Sequence, residues 1–147
     1  MQRKIILVID GQGGRIGRQI IEGIKTRVPD ADIVAVGTNS IATSTMMKAG
    51  ADRGGTGENA VIVNCRSASL IIGPLGIAIA DSLMGEISPA IAAAVGQSPA
   101  VRLLIPMNLC ASIIVGTASL SIRELMARTI DEAEKFCAQQ DSYALEQ

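Results

Sequence analysis

The sequence contains no histidine and no tryptophan, and its aromatic residues are Phe136 and Tyr143 alone. Without histidine, a zinc site would have to be built from cysteine and carboxylate, so no metal site is expected. Without aromatics, nucleic-acid bases have no platform on which to stack. A formal net charge of -1 also removes the electrostatic case for a nucleic-acid or anionic-membrane partner. Cysteine is sparse as well. Cys65, Cys110 and Cys137 lie far apart with no C-x-x-C pair, the pattern of reduced thiols used as small hydrophobes. Long apolar runs are lacking although 48% of the residues are hydrophobic. The stretch from Ala68 to Val101 is broken by Asp81, Glu86, Pro74, Pro89 and Pro99, and neither half reaches the roughly 20 apolar residues of a membrane span. The first apolar run stops after Ile9 at Asp10-Gly11, too early for a secretion signal. These absences predict a cytoplasmic protein with no membrane partner.

What is present is a chain of 147 residues with a core of Ile, Val, Leu, Ala and Met, long enough for one domain over residues 1–147. Lys4 to Ile9 is a continuous apolar run, as in a strand buried on both faces of a parallel sheet. A glycine cluster follows. Ile16, Ile20, Ile21, Ile24 and Val28 then mark the buried stripe of an amphipathic helix that Pro29 ends. Asp32 to Val36 is a second strand, and Ser40 to Lys48 a second helix stopping at Gly50. Strand, helix and strand within so short a span make a βαβ unit, which predicts a single Rossmann-like, three-layer α/β domain with a mainly parallel sheet.

Residues 51–69 are ambiguous. The β-branching of Ala60-Val61-Ile62-Val63 favours a strand, whereas its placement favours a helix from near Thr56; the helix is the preferred reading. Leu70-Ile71-Ile72 reads as a strand. Two small-residue helices are expected at about Leu75 to Met84 and Pro89 to Val95, and strands at Val101 to Ile105 and Ser112 to Val115. Ser121 and Glu124 form a capping box for a last helix with the stripe Ile122, Leu125, Met126, Ile130, Ala133 and Phe136. The pairs Glu124 with Arg128 and Asp131 with Lys135 lie four apart on its exposed side. Residues 140–147 read as a frayed tail.

The informative loop is Asp10-Gly11-Gln12-Gly13-Gly14-Arg15-Ile16-Gly17-Arg18. In this position Gly11 allows a tight turn off the strand, Gly13 and Gly14 let backbone N–H groups approach a phosphate, and Gly17 lets the helix pack on the strand. The helix N-terminus adds a positive dipole end, and Arg15 and Arg18 add charge. The competing explanation is a glycine-rich turn required by packing alone.

The loop resembles the cofactor-binding loop of dihydrodipicolinate reductases. Their pattern G-x-x-G-x-M-G followed by a basic residue is met by Gly11, Gly14, Gly17 and Arg18, with Ile16 where that family has Met. The likeness covers about residues 4 to 25. Those reductases carry a second domain with a His and Lys active site, and this chain has neither a histidine nor the length for it. The reaction therefore does not carry over; the resemblance implies a nicotinamide-dinucleotide or related phosphate site. Over its whole length the chain is similar to a family of short bacterial proteins of unknown function. Gly37-Thr38-Asn39-Ser40-Ile41-Ala42-Thr43, Gly57-Glu58-Asn59, Gly73-Pro74-Leu75-Gly76-Ile77 and Ala80-Asp81-Ser82-Leu83-Met84-Gly85-Glu86 carry that likeness.

An NAD site usually has an Asp or Glu at the end of the second strand to hold the ribose. Here stand Gly37, Thr38, Asn39 and Ser40, which suit a 2'-phosphate better than plain NAD, or serve to cap the second helix. The cofactor expected is NADP or NAD, on Gly11, Gln12, Gly13, Gly14, Arg15, Ile16, Gly17, Thr38, Asn39, Ser40, Gly73 and Pro74. Asp81 and Glu86 lie among apolar residues and need partners, water or a ligand. They are catalytic candidates, against the alternative of a helix cap or an interface ion pair. Cys110 beside Asn108 is a third candidate, weakened by the missing histidine base.

Three functions follow. The first is a small oxidoreductase or redox or nucleotide sensor binding NADP or NAD. The second is a non-enzymatic regulatory or scaffolding homo-oligomer with a degenerate loop. The third is an enzyme on a small phosphorylated metabolite with Asp81 or Glu86 as acid or base.

Overall fold

The computed structural model describes residues 3–107 and 111–139. Its centre is a five-stranded sheet of β1 (Ile5–Asp10), β2 (Asp32–Gly37), β3 (Arg53–Thr56), β4 (Leu70–Pro74) and β5 (Val101–Ile105). The strands are all parallel and ordered β3-β2-β1-β4-β5. The helices are α1 (Arg15–Arg27), α2 (Ser40–Lys48), α3 (Glu58–Cys65), α4 (Pro89–Gln97) and α5 (Ile122–Ala138), with a 3₁₀ turn at Leu75–Ala78.

The continuous apolar character of β1 serves two cores at once. Ile6 and Val8 face Ile20, Ile21 and Ile24 of α1, Met46 of α2, and Met126, Ala133 and Phe136 of α5. Leu7 and Ile9 face Val61 and Cys65 of α3, Ile91 and Val95 of α4, and Leu83 and Ile87. Full burial of each large aliphatic side chain contributes roughly 1.5–3 kcal/mol. The Rossmann-like three-layer architecture is therefore present, with β2 and β4 on opposite sides of β1. The chain reverses its direction of winding between β1 and β4, where doubly wound sheets open a crevice at their strand C-termini.

The local signals explain most boundaries. Ser121 accepts from Glu124 N–H and the Glu124 side chain accepts from Ser121 N–H, so α5 starts at its expected capping box. Its exposed charges are arranged otherwise than expected: Asp131 pairs with Arg27 and Lys135 with Glu132. Residues 58–65 are helix and not strand, and the strand that precedes them, Arg53–Thr56, was not foreseen because RGGT has no apolar periodicity.

Two expected elements are corrected. The helix expected from Leu75 to Met84 is only a 3₁₀ turn, after which Asp81, Leu83, Met84 and Gly85 all have positive φ. The Ser82 hydroxyl donates to the carbonyls of Gly76 and Ile79, taking up acceptors that a continuing helix would use. The strand expected over Ser112 to Val115 is irregular backbone, with Ile113 92% and Val115 94% exposed; β5 forms the sheet's end and no further strand extends it among the described residues. The expected tail, residues 140–147, lies outside the described residues. Among the described residues, no helix is long and apolar enough to cross a membrane.

The corner between β2 and β3 has a measurable electrostatic signature. Asp52 Oδ2 accepts from Ile33 N–H at 2.8 Å and from Lys25 Nζ at 2.8 Å. The Ile33 N–H first, then Lys25, holds this carboxyl below its ordinary 3.8. A lowered folded value means stability that is present above pH 3.8 and lost as pH falls through the folded value. Asp52→Asn is expected to flatten the acid side of the stability–pH curve below pH 3.8, measured by urea unfolding, and to leave the slope at neutral pH unchanged.

Candidate functional site

At the C-terminal ends of β1 and β2 two carboxylates take up the donors that the sequence reserved for a ligand. Asp10, the last residue of β1, is 4% exposed. Its Oδ1 accepts from Gly11 N–H and its Oδ2 from Gly17 N–H, both at 2.8 Å. The dipole end of α1 is thus met by the chain's own anion. Burial pushes the Asp10 carboxyl above its ordinary range, outweighing the N–H groups of Gly17, Gly11 and Ile16 that lower it, and Glu86 adds to the rise.

Glu86 reaches the same loop from the segment between β4 and α4. Its carboxylate accepts from Gln12 N–H at 3.0 and 3.2 Å, from Thr38 Oγ1 at 3.0 Å and from Asn39 Nδ2 at 2.6 Å. Asn39 has three tasks, because its Nδ2 also donates to Gln12 O at 3.0 Å and its Oδ1 accepts from Ala42 N–H and caps α2. The β1 and β2 ends are tied together beneath by Thr38 N–H donating to Asp10 O at 3.0 Å.

Packing accounts for three of the four loop glycines. A Cβ on Gly11 would stand 2.7 Å from Thr38 Oγ1, one on Gly14 2.8 Å from Ala42 O, and one on Gly17 2.8 Å from Met46 Cγ. Gly13 differs: it is exposed, and a Cβ there would meet only Arg15 Cγ at 4.0 Å. Arg15 is the exposed first residue of α1, Ile16 is half-buried against the core, and Arg18 is paired with Glu22.

The other expected site residues are placed differently. Ser40 is the exposed first residue of α2, and the cap is Asn39. Gly73 and Pro74 are buried within β4, paired with Leu104 and Ile105, and a Cβ on Gly73 would lie 2.5 Å from Ile9 O. Asp81 is exposed in the left-handed turn, its N–H donating to Ile87 O. Cys110 lies outside the described residues. Cys65 is buried and its thiol is pushed up to about 11 by burial, so it is a packing residue with little thiolate. An open depression of about 430 Å³ lies apart from the loop, among Ile62, Arg66, Ala93 and Gln97 of α3 and α4 and their flanks.

Asp10, where the first apolar run stops, is not among the expected cofactor-binding residues. The signal that could have found it is the acid immediately before a glycine-rich helix start. Glu86 was legible as a carboxylate in need of partners; which partners was not, because they lie 47 to 74 residues away.

These features define a doubly wound α/β domain whose crevice loops grip an internal carboxylate. By sequence, the chain belongs to the family described as a domain of unknown function, DUF3842, whose model matches residues 5–138. No curated protein matches it significantly. Among solved structures it is similar to one described as a dodecameric FMN-dependent UbiX-like decarboxylase from Escherichia coli O157:H7. That likeness has a TM-score of 0.43 and 14% identity, and covers 96% of this chain and 97% of the other.

The expectation of NADP or NAD is corrected here. Within this chain, Thr38 and Asn39, read as a seat for a 2'-phosphate, instead donate to Glu86, and Asn39 also caps α2.

Proposed function

We propose that this domain binds a small phosphate-bearing ligand, of the nucleotide class, across the loops that follow β1 and β2. The observation that carries the reading is the convergence of a backbone N–H, a hydroxyl and an amide, from Gln12, Thr38 and Asn39, on one carboxylate. Such a donor set fits any oxyanion of similar size. The bare, exposed Gly13 supports it, since packing does not require a glycine there and close approach of a ligand to backbone does. The place also suits the rule that open parallel sheets gather ligands beyond their strand C-termini at the reversal of winding.

Thermal unfolding of the full chain with inorganic phosphate, adenosine monophosphate, adenosine triphosphate and flavin mononucleotide tests this reading. A ligand at about 100 times its dissociation constant adds roughly 2.7 kcal/mol and raises the melting temperature by several degrees. A rise with at least one nucleotide is expected; no rise with any of the four would end the reading.

A second reading is a homo-oligomeric, non-enzymatic module. Met84 at 91%, Ile113 at 92% and Val115 at 94% exposure support its oligomeric part, as apolar side chains that a second copy would cover. Sedimentation velocity at micromolar concentration decides it, and a monomer would exclude it.

A further inference from the structure

We infer that Glu86 is a tethered competitor that holds the ligand seat closed, so that the segment from Ile79 to Ser88 sets the affinity of the site from within. The inference rests on the ligand-binding reading above and adds to it a regulation of that site.

Every donor of the seat is already engaged by Glu86. A ligand phosphate that used Gln12 N–H, Thr38 Oγ1 and Asn39 Nδ2 would meet the carboxylate in the same place. An arriving anion meets the negative charge of Glu86 on these donors and gains little until Glu86 has left. Displacement is an exchange of one oxyanion for another on an unchanged donor set.

The segment is built so that Glu86 can leave without unfolding its surroundings. Leu83 is 2% exposed and Ile87 is fully buried, and both belong to the core on the α3 and α4 face. Asp81 N–H donates to Ile87 O at 2.7 Å and Ile87 N–H to Ser82 O at 3.2 Å, which closes the base of the turn. Downstream, Ser88 caps α4 and donates to Glu58. Between the two apolar anchors stand Met84, Gly85 and Glu86, with Met84 91% exposed. Leu83 and Met84 hold positive φ values of 55° and 57°, a conformation that non-glycine residues adopt only when their surroundings impose it. Swinging one side chain at this tip opens the seat, and Leu83 and Ile87 keep the rest in place.

The test is isothermal titration of the full chain with adenosine monophosphate and with flavin mononucleotide, on wild type, Glu86→Gln and Glu86→Ala. Each folded variant is expected to bind at least one probe tenfold or more tightly than wild type. Glu86→Gln removes the charge that strengthens these three bonds, so the side chain yields the seat more readily, and it decides the matter if Glu86→Ala does not fold. The gain is expected to persist at about 0.5 M salt, where the screening length is only a few ångströms, because direct occupancy is not screened as distant repulsion is. A gain that salt abolishes would overturn the competitor role. Wild type and variants binding equally would also overturn it and leave the ligand reading standing. Absence of binding in all three proteins would overturn both.

Discussion

Gly14→Ala is expected to lower the stability of this domain by about 3–4 kcal/mol, combining the roughly 1–2 kcal/mol of a left-handed alanine with the cost of overpacking. Gly14 has φ +73° and is the residue from which α1 departs. A Cβ there would lie 2.8 Å from the carbonyl oxygen of Ala42 and 2.9 Å from its Cα. Both atoms belong to the backbone of α2, which is pinned by the Asn39 cap and by Met46 in the core, so no side-chain rotation relieves the clash. The melting temperature should fall by about 10 °C, as the entropy of unfolding of a chain this size requires. Gly13→Ala is the matched comparison. With open space around it, its expected change is within about 0.5 kcal/mol, as for a surface substitution. Equal stability of the two variants in urea unfolding would contradict the assignment of Gly14 to helix–helix contact and of Gly13 to the ligand side.

The second large effect is expected at Asp10. Asp10→Ala strands the N–H groups of Gly11 and Gly17 beneath the loop, and a bond from such a group to a charged acceptor contributes roughly 1.5–3 kcal/mol. Removing the carboxylate also removes its desolvation cost, which leaves a net loss of about 3 kcal/mol. The sign of the pH dependence is distinctive. Burial raises the folded carboxyl above its ordinary 3.8, so the native state binds more protons just above that pH than the unfolded chain does. Stability contributed by this group therefore falls as pH rises from 3.8 through the folded value, the reverse of Asp52. Asp10→Asn removes that fall while placing an amide N–H against one of the two backbone donors. A variant that unfolds in urea like wild type, with the same pH profile, would contradict this account of Asp10.

The sequence pattern announced those elements whose burial is periodic. The stripe Ile20, Ile21 and Ile24 and the Ser121–Glu124 box each carry their own local reason, and the structure has α1 and α5 where those reasons put them. Arg53–Thr56 carried none, since it pairs with β2 through backbone while its own residues are mostly exposed. Ile113 and Val115 carried a misleading one: β-branching favours a strand only where a partner strand exists. The loop glycines were readable as necessary, but both a phosphate and a neighbouring helix require bare backbone. Only the positions of Ala42, Met46 and Thr38 assign Gly14, Gly17 and Gly11 to packing. In the same way the neutral ends Thr38 and Asn39 were legible as donors, while their acceptor was a residue of another segment, brought there by the reversal between β1 and β4.

The most direct test of the central claim is the amide proton–nitrogen spectrum of the full chain titrated with adenosine monophosphate and with flavin mononucleotide. The account predicts that the largest shifts fall on the backbone N–H groups of Gln12, Gly13, Thr38 and Asn39, with the side-chain amide of Asn39 among them. Shifts centred instead on Ile62, Arg66, Ala93 and Gln97, in the depression between α3 and α4, or no shifts at any concentration, would contradict it.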